Sequence, residues 1–322
     1  MKRACLAAAL LLLAACGSDG GASAAATLPP LVVPATVGST IAGTTTSPAP
    51  TTTSTLPSTT TAAPTTAVQT TSASGAGSTV DPARPPQIDA TAYAVYDVGS
   101  QQWLGEHDAD APNPVGSLMK LLTAYVVMQA GDPTHVATVP PMQLDPAESA
   151  IGLYEGQRLP RDVLLRAELI VSANDAARTL ALDVGGSEDA FVGMMNDAAN
   201  TLGMSQTVAV NSVGLDAEGA HSSARDLVSI ATLLMQDPTF RTTVARTDAQ
   251  MNGQHFKATN KLLTSYEGAT GVKTGHTTQA GYCLVGSATR GDRSVIVAVL
   301  GAPTGKARID GASALLDWAF TT

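Results

Sequence analysis

The 322-residue chain divides by its pattern of apolar and polar positions into three stretches. Residues 4–15 are almost continuously apolar, too short to span a bilayer as a stable helix, and follow the basic pair Lys2 and Arg3. Residues 17–86 are a low-complexity run of Thr, Ser, Pro and Ala. Regular patterning begins near Ile88. Residues 90–97 and 102–105 flank a turn at Val98, Gly99 and Ser100, which predicts a β-hairpin. Helical periodicity runs over 117–130, with Leu118, Leu121, Leu122, Tyr125 and Val126 on one stripe. Ser187 supplies an N-cap, and Glu188 and Asp189 an acidic first turn, for a helix ending near Gly203. A further helix is expected over about 223–236, two adjacent strands over 281–288 and 293–300, and a closing helix over 310–320. Strands at both ends around a helical middle predict an α+β domain, its antiparallel sheet drawn from both termini.

Charge sharpens the division. Apart from Lys2, Arg3 and Asp19, every Asp, Glu, Lys and Arg lies at or after Asp81. An uncharged Thr/Ser/Pro/Ala segment cannot bury enough apolar surface to offset its conformational entropy, so it is expected to be a disordered tether. As a flexible coil of ~70 residues its reach is roughly 45–50 Å, and its composition also suggests O-glycosylation. The remainder is long enough to bury a sizeable core. A net charge of −9 argues against nucleic acid as a partner. Cys5, Cys16 and Cys283 are the only cysteines. With Cys5 in a segment expected to be removed, no internal disulfide is left, and neither Cys nor His falls at zinc-ligand spacing. A mechanism without metal or cofactor is expected.

The apolar leader ends in Leu13, Ala14, Ala15 and Cys16, followed by Gly17. This resembles the lipobox of bacterial lipoproteins, in which the thiol is lipidated and the chain is cut before it; a plain secretory signal with a chance cysteine is the alternative. The resemblance implies a signal peptide over 1–15, a lipidated Cys16 opening a tether over 16–86, and a folded domain over 87–322. Two or three acyl chains on Cys16 suffice for stable membrane anchoring.

Three polar clusters carry candidate chemistry. Ser117 and Lys120 open a helix three residues apart, so the amine can reach the hydroxyl. The helix N-terminus there favours developing negative charge. A partly desolvated Lys120 near another cation would have a lowered pKa and could act as a base. Ser172 and Asn174 lie between two apolar helical stretches; a turn there would aim both into one region, where a hydroxyl can relay a proton and an amide can hold a carbonyl. Lys273, Thr274 and Gly275 precede the late strands, where Lys and Thr can bind a carboxylate and Gly allows close backbone approach. Each cluster alone also reads as a helix cap or a strand start. Together, in this order and with 55 positions between the first two serines, they match the S-x-x-K, S-x-N and K-T-G set of penicillin-binding proteins and β-lactamases.

Longer blocks extend the match: 172–177 (SANDAA), 211–216 (NSVGLD), 222–226 (SSARD), 260–263 (NKLL) and 271–277 (GVKTGHT) with Ala280, Gly281 and Tyr282. With these, nearly all of residues 88–322 resembles low-molecular-mass penicillin-binding proteins, the serine D-alanyl-D-alanine carboxypeptidases of peptidase family S11. The resemblance implies a β-lactamase/transpeptidase-like fold and acyl transfer on peptidoglycan stem peptides ending in D-Ala-D-Ala. It implies Ser117 as nucleophile, Lys120 as its base, Ser172 as proton shuttle, and Asn174 orienting the substrate or Lys120. Lys273, with Thr274 and Gly275, would line the binding edge; the backbone N–H groups of Ser117 and His276 would form an oxyanion hole. Arg308 falls where the family places a carboxylate-binding arginine. β-Lactams would acylate Ser117 and leave slowly.

Val115, Gly116, Met119 and Cys283 depart from common family residues without removing a catalytic group, and Cys283 reads as a buried strand residue. No E-x-x-L-N segment is present, which counts against an efficient class A β-lactamase. Many relatives continue beyond the position of Thr322 into a small β-rich domain and an amphipathic anchor; here the lipid and tether are expected to take over localisation. The alternatives left open are a D,D-endopeptidase or transpeptidase on cross-linked peptides, a class A β-lactamase, and a non-catalytic wall-binding lipoprotein.

Overall fold

In the computed structural model, which describes residues 84–322, the chain opens with the expected hairpin, β1 (Ala92–Asp97) and β2 (Gln102–His107). A 3₁₀ turn (Gly116–Met119) leads into α1 (Lys120–Gln129). The helical middle holds β3 (Val136–Thr138), β4 (Arg158–Pro160), α2 (Arg161–Val171), α3 (Asn174–Gly185), α4 (Glu188–Thr201), α5 (Ala224–Leu234) and α6 (Pro238–Val244). After it come β5 (Asp248–Met251), β6 (Gln254–Lys257), the short α7 (Leu262–Ser265), β7 (Ala269–Thr277), β8 (Gly281–Arg290), β9 (Arg293–Ala302) and α8 (Gly305–Thr321). The leader 1–15, Cys16 and all but the last three residues of the 16–86 tether lie outside the described residues.

The main sheet has the order β2-β1-β9-β8-β7 with every pair antiparallel, so strands from both termini close around the late hairpins. Side-chain alternation on β9 explains how the sheet is covered on both faces. Val295, Val297 and Val299 pack with Leu315, Leu316 and Trp318 of α8. Ile296, Ala298 and Leu300 point the other way, into a core shared with α1, α5 and the helical subdomain. Ser187 caps α4 as expected, accepting from the Ala190 N–H, and Ser223 caps α5, accepting from the Asp226 N–H.

Three elements differ from the sequence pattern. The helix after Ser117 is not one-sided. Its Thr123, Ala124 and Val127 are buried beside Leu121, Leu122 and Val126, because α1 runs through the joint between sheet and helices. Residues 273–275 do not precede the late strands but lie inside one, β7, whose two glycines and polar residues hide the alternation. The closing helix starts five residues early, at Gly305 with Thr304 as cap, which puts Arg308 in its first turn. The β5–β6 hairpin was also unforeseen, although Asn252 and Gly253, both at positive φ, are its sequence signal.

Leu315 is fully buried between α8 and the sheet. Leu315→Ala is expected to cost about 2–5 kcal/mol in chemical denaturation.

Candidate active site

The 3₁₀ turn that carries Ser117 is wedged against β7. Gly116 adopts φ +56°, and a Cβ there would lie 2.9 Å from the His276 backbone nitrogen. From the other side, a Cβ on Gly275 would meet the Val115 carbonyl oxygen at 2.3 Å. Only backbone without side chains brings turn and strand this close. Ser117 remains half-buried at the opening, while Lys120, one turn further on, is fully buried.

Three oxygens surround the Lys120 amine: Ser117 Oγ at 2.9 Å, Asn174 Oδ1 at 2.6 Å and the Val213 carbonyl at 2.8 Å. The last two can only accept. A neutral amine that donates its two hydrogens to them keeps its lone pair for the Ser117 hydroxyl. Burial, the dominant cause, lowers the Lys120 pKa to about 7; Arg178 lowers it as well, while Glu168 and Glu148 oppose the shift. Thus the S-x-x-K spacing delivers an activated lysine, by desolvation first and by a neighbouring cation only second.

Each acceptor is itself fixed. Asn174 donates through Nδ2 to Glu148 at 2.6 Å, and Arg178 pairs with the same carboxylate at 3.0 Å, which sets the amide's orientation. The loop bearing Glu148 is tied down by Asp175, which accepts from the Ile151 and Leu153 N–H groups. Val213 is presented by a loop folded on Asn211, whose Oδ1 accepts from the N–H groups of Val213, Gly214 and Leu215.

Ser172 sits at the joint between α2 and α3, in left-handed conformation at φ 67°, where a non-glycine residue is held at a cost of about 1–3 kcal/mol. That joint turns its hydroxyl toward β7, and Lys273 donates to it at 2.9 Å. Lys273 also donates to the Thr274 carbonyl at 3.0 Å. Its pKa is held well below the ordinary lysine value by burial, then by Lys120. Thr274 donates to Thr259 Oγ1 at 2.8 Å, and His276 is exposed and stacked on Tyr282.

Ser117, Lys120 and Asn174 therefore form one hydrogen-bonded group and Ser172 with Lys273 a second, joined through the short segment 172–174. Arg308 lies in the first turn of α8. It is buried, and its Nη1 donates at 3.2 Å to both the Gly275 and Cys283 carbonyls across the β7–β8 pair. Cys283 is fully buried, its thiol pKa pushed up to about 11 mainly by burial. Cys16 lies outside the described residues. Among the described residues, no three His, Cys, Asp or Glu side chains gather as a metal site. Sequence reasoning missed Glu148, Thr259, Glu168 and the Val213 carbonyl. The block 211–216 was a signal for the carbonyl, but the other three lie in stretches with no motif.

A profile of peptidase family S11, D-alanyl-D-alanine carboxypeptidase, matches residues 79–304. The D-alanyl-D-alanine carboxypeptidase DacA of Escherichia coli K12 is 37% identical over 248 residues, which cover 73% of this chain and 62% of the relative. The chain thus spans less than two thirds of that relative's length. The crystal structure of the Streptomyces K15 DD-transpeptidase is similar at a TM-score of 0.68 and 31% identity, covering 74% of this chain and 99% of that one. Penicillin-binding protein D2 of Listeria monocytogenes, in a cefotaxime-bound form, is similar at a TM-score of 0.66 and 34% identity, covering 73% and 98%.

Gly275→Ala must push β7 from the Ser117 turn. It is expected to cost about 1–3 kcal/mol in thermal unfolding and to slow labelling of Ser117 by a serine-directed acylating reagent, followed as the mass of the adduct.

Proposed function

The chain belongs to the peptidase S11 family of D-alanyl-D-alanine carboxypeptidases, and from that premise we propose that it removes the terminal D-alanine of peptidoglycan stem peptides through an acyl-enzyme on Ser117. The observation that carries this reading is the buried Lys120 amine, 2.9 Å from the Ser117 hydroxyl, with its other two contacts on acceptor-only oxygens. In this reading Ser117 attacks the carbonyl between the two D-alanines as its proton passes to Lys120. The developing oxyanion is taken by the backbone N–H groups of Ser117 and His276. The close approach of Gly116 to the His276 nitrogen supports that pairing. Ser172, held by Lys273, relays a proton to the departing amine of D-alanine, and Asn174 orients Lys120. Water then cleaves the ester, restoring the serine.

β7 is an edge strand of the sheet, which suits an extended peptide lying along Lys273, Thr274 and Gly275. Arg308 lends positive charge to the terminal carboxylate while its Nη1 shapes that edge. β-Lactams are ligands of the same serine in this reading, as the cefotaxime-bound neighbour supports. A second reading, acyl transfer to an amine instead of water, is favoured by the likeness to the K15 DD-transpeptidase; both need the same acyl-enzyme. Cys16 is proposed as the lipid anchor, with the 16–86 segment as tether and the folded domain 87–322 facing the cell-wall space.

Incubation of the purified protein with a pentapeptide ending in D-Ala-D-Ala is expected to release one alanine by mass spectrometry. Ser117→Ala should lower this rate by at least about 1000-fold, and an unchanged pentapeptide with the wild type would overturn the carboxypeptidase reading. Because Lys120 acts only when neutral, acylation should fall as pH drops through about 7. Cys16→Ala is expected to move the protein from the membrane to the soluble fraction of cells; retention would count against lipid anchoring.

A further inference from the structure

Glu168, on α2 one turn before Ser172, is fully buried, and neither of its carboxyl oxygens has a hydrogen-bond partner. Among the described residues it is the one carboxylate in that condition. Glu148 and Asp175, also at the site, are each held by several donors. Glu168 is thus a burden on the fold where an apolar residue would pack at no electrostatic cost. α2 packs against α1, which carries Lys120, and its C-terminus delivers Ser172 to Lys273.

The charged groups around the carboxyl are Lys120 from α1 and Lys273 from β7; both lie within Coulomb range of it and of each other. Glu148 and Arg178 also act on Lys120, and Arg308 of α8 on Lys273. Two lysines in one dry site repel, and acyl transfer asks opposite things of them: Lys120 must be neutral to take the serine proton, while Lys273 must keep its charge beside Ser172.

Building on the acyl-transfer reading above, we propose that Glu168 is a positioning residue for the lysine pair, a buried carboxyl that sets which proton-bound forms of Lys120 and Lys273 are populated. With Glu168 protonated, a neutral Lys120 and a charged Lys273 leave one net positive charge. Moving the carboxyl proton to Lys120 gives the same proton count, with both amines charged around a carboxylate. Burial pushes the Glu168 pKa up to about 8, against the pull of Lys120 and Lys273, so the carboxyl holds its proton at neutral pH and ionises in the alkaline range. The carboxylate raises the proton affinity of both lysines.

The test is the pH profile of acylation by a chromogenic cephalosporin, using the full chain, for the wild type, Glu168→Gln and Glu168→Leu. Losing the carboxylate lowers the proton affinity of both amines. Below about pH 8 the wild-type carboxyl already holds its proton, so the acidic limb, set by Lys120, should stay in place, while the alkaline limb, set by Lys273 where Glu168 is ionised, should move to lower pH by about one unit. A structural role alone would lower the plateau and leave the limbs in place. Glu168→Leu should also raise the thermal midpoint. Acylation of the wild type with an unmoved alkaline limb in folded variants overturns the inference, as does loss of folding in both variants, which would make the carboxyl a structural requirement. A wild type that is not acylated would instead count against the acyl-transfer reading itself.

Discussion

The site depends on keeping an amine dry. Lys120 has no access to solvent, and its nitrogen touches one hydroxyl and two oxygens that can only accept. Burial of an unpaired ammonium is costly enough that the group gives up its proton. Supplying exactly two obligatory acceptors lets the neutral amine remain fully bonded and leaves its lone pair on Ser117. If Asn174 or Val213 were displaced, the same burial would leave unsatisfied donors and a misdirected base.

That requirement explains the layout around it. α1 must be buried on almost every side, so it runs between the sheet and the helical subdomain instead of lying on a surface. The Asn174 amide is pinned by Glu148 and Arg178, and the Val213 carbonyl by the loop wound on Asn211. Several sequence blocks that lack chemistry of their own serve this purpose. Ser222 bridges to Asn113 ahead of the Ser117 turn, and Asp226 holds the Gln206 N–H and the Thr207 hydroxyl. The second lysine is built by a different device, the left-handed Ser172, which turns a helix end toward β7.

Local signals were legible where one residue decides the backbone. Ser187 caps the helix its side chain announces, and β8 and β9 follow apolar runs bounded by turns. The clusters at 117–120, 172–174 and 273–275 were found by residue type and spacing, and the fold does bring them together. β7 escaped notice because Gly275 serves the close approach to the Ser117 turn, Gly271 the contact with Val244 and Lys273 the bond to Ser172, so that no pleated apolar face shows. The Arg308 bonds to the Gly275 and Cys283 carbonyls depend on a strand pairing no local pattern encodes.

The sequence by itself determined the class of the domain, its strand-helix-strand order and the residues that gather at the candidate site, because capping, periodicity and short motifs act over a few residues. Only the tertiary structure decided which oxygens face Lys120, that Glu148 steadies Asn174, and that Glu168 lies dry beside two lysines. The hydrogen bonds of the site join positions as far as 26, 93 and 101 residues apart. Desolvation, which moves the proton affinities, belongs to the packed interior and to no single stretch of chain.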